Sequence, residues 1–404
     1  MNVIGIIAEY NPFHNGHVYQ INKIKELFKN SIIIVILNGN FTQRADVSVI
    51  NKWDKTRILL DNNVDMVVEL PIYYGINNAD IFADGALKIL NELKIDTLVF
   101  GTERNNLDDF YTVINTKKHK DYDKLVKKYL DLGYSYPTSC SKSLEFLSKI
   151  KIDTPNDILA TSYINTIINN KYNIKPYGIK RTNDYHGREL SYISSASAIR
   201  NAIFNNIDYK ESIPKSVDKY ISNIKIDDYF DLIKYKILSC SDLSIYHDCK
   251  EGIDKRFKEY ITKSNTLEEF ISLVKTKRYT YSRIKRILLY ILLDIKNDYV
   301  RTCYVRLLEQ VTNHFGCDAD KFLYKRHYNE LEYSKIDNKH IIKNLYSEEV
   351  TFLKVFHTHI KMKTNNNYSS FFETMKEYNK NIFICDFENE DFFWLNKINF
   401  ETLV

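Results

Sequence analysis

The 404-residue chain is short of the features that would place it in a membrane or an oxidising compartment. No segment approaches the ~18 uninterrupted apolar residues of a membrane span, and the apolar run Ile32 to Leu37 reads as a strand. The amino terminus has no basic start, apolar stretch and small-residue cleavage pattern of the secretory kind. Six cysteines (Cys140, Cys240, Cys249, Cys303, Cys317 and Cys385) are scattered without a CxxC pair. That spacing argues against both a zinc ribbon and a disulfide framework, and a reduced cytoplasm is the expected setting. Charge of one sign is also scarce. The net charge of +5 is mild, so bulk charge alone does not predict a nucleic-acid partner. Only 11 glycines stand among abundant Asn, Lys, Ile and Tyr, a bias that carries no function. The chain does have 44% hydrophobic residues, enough for a sizeable core, and a length that suggests two or three domains.

Residues 1–205 alternate strand and helix patterns. Val3 to Ile7 is a short apolar run, and Ile32 to Leu37 a continuous one, as expected of a parallel sheet covered on both faces. Asp65 to Leu70, Thr97 to Gly101 and Ile174 to Ile179 are further strands. Helical periods fall at Val49 to Leu60, Ala79 to Leu93, Ile158 to Ile168 and from Ser194 onward, with more helix between Leu107 and Ile150. This βα rhythm predicts a Rossmann-like, doubly wound α/β domain. Past residue 206 the strand rhythm fades, and Pro214 is the last of the six prolines. Residues 206–310 read as a helical region, including Leu267 to Val274 and Ser282 to Leu293. Residues 311–404 read as a small mixed α/β part, with strands at Val350 to Ile360 and Asn381 to Phe387.

The first twenty residues, MNVIGIIAEYNPFHNGHVYQ, carry the strongest chemical signal. A strand, an irregular Glu9-Tyr10-Asn11-Pro12-Phe13 link and a helix opening at His14-Asn15-Gly16-His17 make an anion site, because first-turn N–H groups lack intrahelical partners. His14 and His17 can donate to phosphate oxygens there, and Gly16 leaves room for a nucleotide. Two such histidines can also be plain polar caps. Placement after the first strand of a parallel sheet favours a ligand, since such sheets bind outside their carboxyl ends. Gly101 at the end of the fourth strand would let a purine lie against the backbone. Ser195, Ser197 and Arg200 at a later helix start suit a triphosphate, or the serines simply cap. Asn156 reads as a helix cap, Arg181 as a surface cation, and the loop Asn38 to Asp46 as a second anion candidate with Arg44. Lys52, Lys55 and Arg57 follow it as secondary cations.

Lys275 to Arg286 holds six basic residues and no acid among twelve, with two tyrosines interleaved. Lys275, Lys277, Arg278, Arg283, Lys285 and Arg286 for a backbone, and Tyr279 and Tyr281 for unstacked bases, suit single-stranded RNA. A basic helix end with buried tyrosines is the competing account. Asp386, Glu388, Glu390 and Asp391 read as solvated, and His357 and His359 lack a third metal ligand. No resident metal site is expected.

The motif GIIAEYNPFHNGHVYQI resembles the start of the tRNA(Met) cytidine acetate ligases, a branch of the HxGH nucleotidylyltransferase superfamily. The likeness continues through NGNFTQRADVSVINKWDKTRILL, DMVVELP, NADIFADGALKIL, LVFGTE, TPNDILATSYI, ISSASAIR and LVKTKRYTYSRIKRILLYILL, covering roughly residues 1–310 in order. The resemblance implies an enzyme that condenses acetate with ATP to acetyl-adenylate and pyrophosphate, and Mg²⁺ is expected beside the pyrophosphate on chemical grounds. The enzyme then acetylates the wobble cytidine of elongator tRNA(Met) to N4-acetylcytidine. Its ATP site would map onto Ile7, Ala8, Glu9, Tyr10, Asn11, Pro12, Phe13, His14, Asn15, Gly16, His17, Val18, Tyr19 and Gln20, with Gly101, Asn156 and Arg181. His14 and His17 would be catalytic, and Ser195, Ser197 and Arg200 would hold pyrophosphate. The basic segment would engage tRNA. Where family members carry Ser-Gly-Asn and Gln-Arg-Gly, this chain has Asn38-Gly39-Asn40 and Gln43-Arg44-Ala45. A plain nucleotidylyltransferase acting on a small phosphorylated cofactor precursor is the alternative expectation, and an RNA-binding protein with a degenerate nucleotide fold is a second.

Overall fold

The computed structural model describes residues 2–104, 106–181 and 192–297. The expected strands, histidines, acidic segment and mixed region beyond residue 311 lie outside the described residues, as do Cys303, Cys317, Cys385 and the last part of the helical region.

Five strands, β1 (Val3–Ala8), β2 (Ile32–Asn38), β3 (Met66–Leu70), β4 (Thr97–Thr102) and β5 (Lys175–Lys180), form one sheet in the order β3-β2-β1-β4-β5. Every pairing is parallel, with Val3 opposite Ile32, Ile34 opposite Met66, Ile4 opposite Thr97 and Gly101 opposite Ile179. The chain steps from β1 to one side first and then returns to the other, so the crevice at the carboxyl ends of β1 and β4 is the topological switch point.

The continuous apolar runs serve two faces at once, because successive strand residues point to opposite sides. Ile32, Ile34, Ile36, Met66, Val68, Leu98 and Phe100 pack on one face with α4 (Ala79–Glu92), α5 (Leu107–Thr116) and α8 (Pro155–Asn170). Ile4, Ile6, Ile33, Val35, Val67 and Val99 pack on the other with α1 (Asn15–Leu27), α2 (Lys52–Asp61) and α9 (Ala196–Phe204). The helices start where polar caps sit: Asn51, Asn78, Ser195, Thr266 and Thr280 each accept a first-turn N–H, satisfying donors the helix cannot. The doubly wound α/β fold is thus present. A short α3 (Ile72–Gly75) and a helical hairpin, α6 (Tyr122–Asp131) with α7 (Tyr136–Ser148), complete this part.

After α9 the backbone stays on the sheet domain longer than residue 205. Ile213 and Val217 join the β1 core, and Ser222 donates its N–H to Val49 O at 2.8 Å. The helical unit then forms from α10 (Phe230–Ser239), α11 (Ile253–Tyr260), α12 (Leu267–Val274) and α13 (Tyr281–Leu292). Its core also takes in Ala45, Ile72 and Ile76. It therefore docks on the carboxyl edge of the sheet, fixed by an ion pair from Lys285 Nζ to Asp46 and by Tyr73 and Tyr290 flanking His247. Among the described residues, no helix is long and apolar enough to cross a membrane.

Candidate functional site

The link after β1 turns sharply: Tyr10 lies in the left-handed region (φ 47°) and the Asn11–Pro12 peptide is cis. Three of its side chains face inward. Tyr10 and Phe13 are buried, and Asn11 Oδ1 accepts the Val49 N–H at 2.8 Å. Asn15 Nδ2 donates to Tyr192 O and Glu211 O, both at 2.8 Å, tying the start of α1 to the segments around α9. These residues of the opening stretch hold its shape.

The histidines cap the helix and do more. His14 Nδ1 accepts the Gly16 N–H at 3.1 Å, and His17 Nδ1 accepts the His14 N–H at 3.2 Å. The two rings stack at 3.6 Å between centroids. Burial, then Arg181 and Arg200, push the His14 pKa down to about 3. Burial, then His14 and Arg181, hold His17 well below its ordinary value. Both imidazoles are therefore neutral. Because each Nδ1 already accepts a backbone proton, each neutral ring carries its own proton on Nε2. The pair offers two N–H donors with no formal charge. Gly16 is required by the cap itself: a Cβ there would meet His14 Cε1 at 2.9 Å. Room for the ring is thus one reason for this glycine, which also lines the cleft.

A cleft with about 450 Å³ of space, open toward solvent, is lined by His14, Gly16, His17, Tyr19, Gln20, Gly101, Ile179, Lys180, Arg181 and Ile193. It lies at the switch point, so β1, β4 and β5 each deliver a wall. At Gly101 an added Cβ would meet only Arg181 Cγ and Cδ, at 3.6 and 3.8 Å. Protein packing does not demand glycine there. Glycine there leaves the backbone of the strand end bare toward the cleft. Arg181 Nε is buried without a hydrogen-bond partner, 3.6 Å from Glu103 Oε1, which suits an acceptor that arrives with a ligand.

Asn156 does not line the cleft but joins it through Glu103, which accepts Asn156 Nδ2 at 2.6 Å on one oxygen and Thr154 Oγ1 at 3.0 Å on the other. Arg200 reaches the site from α9, donating to Asn11 O at 2.5 Å and to Ser197 Oγ at 3.3 Å. Ser195 accepts the Ala198 N–H and is a cap, and Ser197 is exposed. Sequence reasoning missed Glu103, Ile179, Lys180 and Ile193. The first sits one residue past β4, and the next two close β5 just before Arg181, so strand ends were the available signal.

The loop after β2 is built for structure. Glu9 accepts the Gln43 N–H at 2.5 Å and Asn38 Nδ2 at 3.2 Å. Asn38 fits because residue 75 is glycine, where a Cβ would stand 2.1 Å from Asn38 Oδ1. Ala45 is buried at φ 60°, a conformation that costs alanine on the order of 1 kcal/mol. Lys52 pairs with buried Glu69 at 3.0 Å. Lys55 donates to Glu9 O, Asn38 O and Gly39 O at 3.1, 2.7 and 2.7 Å. Burial pushes its pKa down to about 8. Arg57 pairs with Asp54 at 2.8 Å. Lys52 and Lys55 are committed inside the protein, whereas Arg57 stays at the surface in its pair with Asp54.

The basic segment divides. Lys275, Lys277, Arg278 and Tyr281 are exposed, and Arg286 is half-buried. Arg283 is half-buried too, forming a two-point pair with Asp248 at 2.9 and 2.7 Å. Two expectations need correcting. Tyr279 is buried, its hydroxyl donating to Glu251 O at 2.5 Å, so its ring is not offered to a base. Lys285 is buried against Asp46, so its charge fastens the helical unit and is not presented to RNA. Among the described residues no cluster of three or more His, Cys, Asp or Glu is arranged for a metal ion.

The family described as HIGH Nucleotidyl Transferase matches residues 1–380. The tRNA(Met) cytidine acetate ligase of Mycoplasma mobile is 41% identical over 298 residues, covering 72% of this chain and 99% of that protein. The chain belongs to the tRNA(Met) cytidine acetate ligase family. Its counterpart of that name in Clostridium acetobutylicum is 39% identical over 313 residues, 71% of this chain and 78% of that one. Among solved structures, Thermotoga maritima TmcAL bound with alpha-thio ATP superposes with a TM-score of 0.65 at 29% identity, over 75% of this chain and 77% of that one. Apo TmcAL of the same organism gives 0.68 at 25% identity, over 93% and 96%. Part of this ligase-family chain therefore has no counterpart in the Mycoplasma mobile relative, although nearly all of that relative is matched.

Proposed function

We propose that this protein joins acetate to ATP, releasing pyrophosphate, and passes the acetyl group to N4 of the wobble cytidine in elongator tRNA(Met). The observation that carries the reading is the neutral, stacked His14–His17 pair with both Nε2–H groups free of the cap, beside Gly101 and Arg181 at the switch point. An acetate oxygen attacks the α-phosphorus as the bond to pyrophosphate breaks. The imidazole N–H groups and the first-turn amides of α1 donate to the phosphate oxygens, where charge grows in the transition state. Neutral donors need no proton transfer for this, so they stay in place through the step. Arg181, held by Glu103, would lie against the nucleotide, and Arg200 with Ser197 would meet the leaving pyrophosphate. In the second step the cytidine amine attacks the acetyl carbonyl, AMP departs with the anhydride oxygen, and the amine loses a proton.

Mg²⁺ belongs to this proposal as the companion of ATP. The described residues supply no cage for it, which fits an ion held by substrate phosphates and water. Residues 1–205 would activate acetate and residues 206–310 would engage tRNA, in the cytoplasm where both substrates are met. The ligase relatives favour this over a plain nucleotidylyltransferase, which has no use for an exposed Lys275, Lys277 and Arg278. Incubation with ATP, acetate and tRNA followed by mass analysis of nucleosides tests it. N4-acetylcytidine that depends on both small substrates is expected, and its absence would return the plain nucleotidylyltransferase.

A further inference from the structure

The hairpin of α6 and α7 has no part in the chemistry above, yet it concentrates charge. Residues 117–151 carry nine lysines against four acids, a net +5 that equals the net charge of all 404 residues. Lys124, Lys127 and Lys128 fall at helical spacings of three and four and are exposed, while Val126 turns inward to the packing. The partner helix α7 leaves large aromatic side chains in solvent, Tyr136 at 66% and Phe146 at 53% exposure. Two hairpin rings carry an ammonium: Lys142 Nζ lies 4.9 Å from the centre of Tyr134, and Lys149 Nζ 4.7 Å from that of Phe146. Solvated helix faces carry lysines in plenty, but they do not normally leave large aromatics uncovered among them.

The hairpin also meets the basic segment. The turn between its helices lies against the basic segment, since a Cβ on Gly133 would stand 3.0 Å from Lys277 Nζ. Past its exit the Lys151 carbonyl accepts from Arg104, the neighbour of Glu103, and α8 with Asn156 begins a few residues on. Basic surface thus continues from Lys275–Arg278 across the turn to α6.

We propose that the α6–α7 hairpin is a second RNA-contacting surface, which extends that of Lys275, Lys277 and Arg278 along the tRNA. Lysine rows track a phosphate backbone and exposed rings take unstacked bases. An anticodon loop, whose cytidine must leave its stack to react, presents both. The inference rests on tRNA being the acceptor, as proposed above.

The test measures tRNA affinity of the full chain across a potassium chloride series, beside acetate-dependent ATP–pyrophosphate exchange. One variant combines Lys124→Glu, Lys127→Glu and Lys128→Glu. The other combines Tyr136→Ala and Phe146→Ala. The lysine variant should bind about tenfold or more weakly, with a salt dependence shallower by about two to three ion equivalents. The aromatic variant should bind roughly fivefold or more weakly at unchanged salt dependence. Exchange should stay at the wild-type rate in both. Wild-type affinity and salt slope in both variants would overturn the hairpin's role and leave the ligase reading standing. No tRNA binding by the wild type would sink the two together. Unchanged tRNA binding with lost co-sedimentation on phosphatidylserine vesicles would make the hairpin a membrane surface instead.

Discussion

The cleft at the head of α1 and the basic segment before α13 both face polyanions in this reading, and they are built in opposite ways. At the helix start the cleft relies on buried, uncharged imidazoles and backbone amides, with fixed geometry set by Nδ1 caps, and Lys180 and Arg181 stand on its facing wall. The segment relies on formal charge, part of which the fold consumes in Lys285–Asp46 and Arg283–Asp248. Positioned neutral donors act at a reacting phosphorus, where geometry decides the rate. Exposed ammonium groups act on a long backbone, where number and salt decide the affinity. Counting charges along a chain finds the second kind of site and overlooks the first.

That contrast can be broken most sharply at His17. His17→Ala should lower acetate-dependent ATP–pyrophosphate exchange by about 10²–10³-fold, the usual loss for one preorganised donor, with tRNA affinity within about twofold. An equal loss of tRNA binding would mean that the two sites are not separate. The next effect concerns stability. Asp46→Ala strands the buried Lys285 ammonium and should cost about 1–3 kcal/mol in urea unfolding. Adding Lys285→Met should recover most of it. A silent Asp46→Ala would show that the pair contributes nothing to docking.

Replacing Lys275, Lys277 and Arg278 together by alanine should weaken tRNA binding about tenfold, flatten its salt dependence and spare exchange. Loss of stability in that triple variant would instead assign these cations to the fold. The smallest effect is a pH effect. His14 is neutral in the folded protein down to about 3, whereas in the unfolded chain it gains a proton below about 6.5. The folded state binds fewer protons in that window, so stability falls as pH drops from about 6.5, by about 1 kcal/mol at pH 5.5 from this group. Thermal midpoints of wild type and His14→Gln, compared from pH 7 to 5, should converge as acid is added.

The fold was legible where one physical rule decides an element. Ile32–Asn38 is a two-faced strand because every residue is apolar but the last, and the parallel order followed from the βα rhythm. His14, His17, Gly101 and Arg181 converge because strand ends in such a sheet share an edge. The fate of Lys52, Lys55, Tyr279 and Lys285 was not legible, because residue type does not reveal which side of a helix another domain will cover. Glu103 escaped notice for a related reason: a carboxylate one residue past a strand looks solvated until Asn156 and Thr154 arrive from α8, more than 50 positions away. The lysines of α6 were overlooked because interspersed aspartates make the helix read as ordinary surface. Asn38 and Ala45 show departures of another sort, tolerated because Gly75 and a buried left-handed turn accommodate them.

Lys55 has a wider consequence. The carboxyl edge of a parallel sheet ends in rows of carbonyl oxygens, and their lone pairs create a negative background at the very place where a triphosphate would bind. A buried ammonium that takes up the carbonyls of Glu9, Asn38 and Gly39 offsets part of that background without lining the cleft. The imidazoles, kept neutral by burial and by the charge of Arg181 close by, then need not carry a charge of their own to offset those carbonyls.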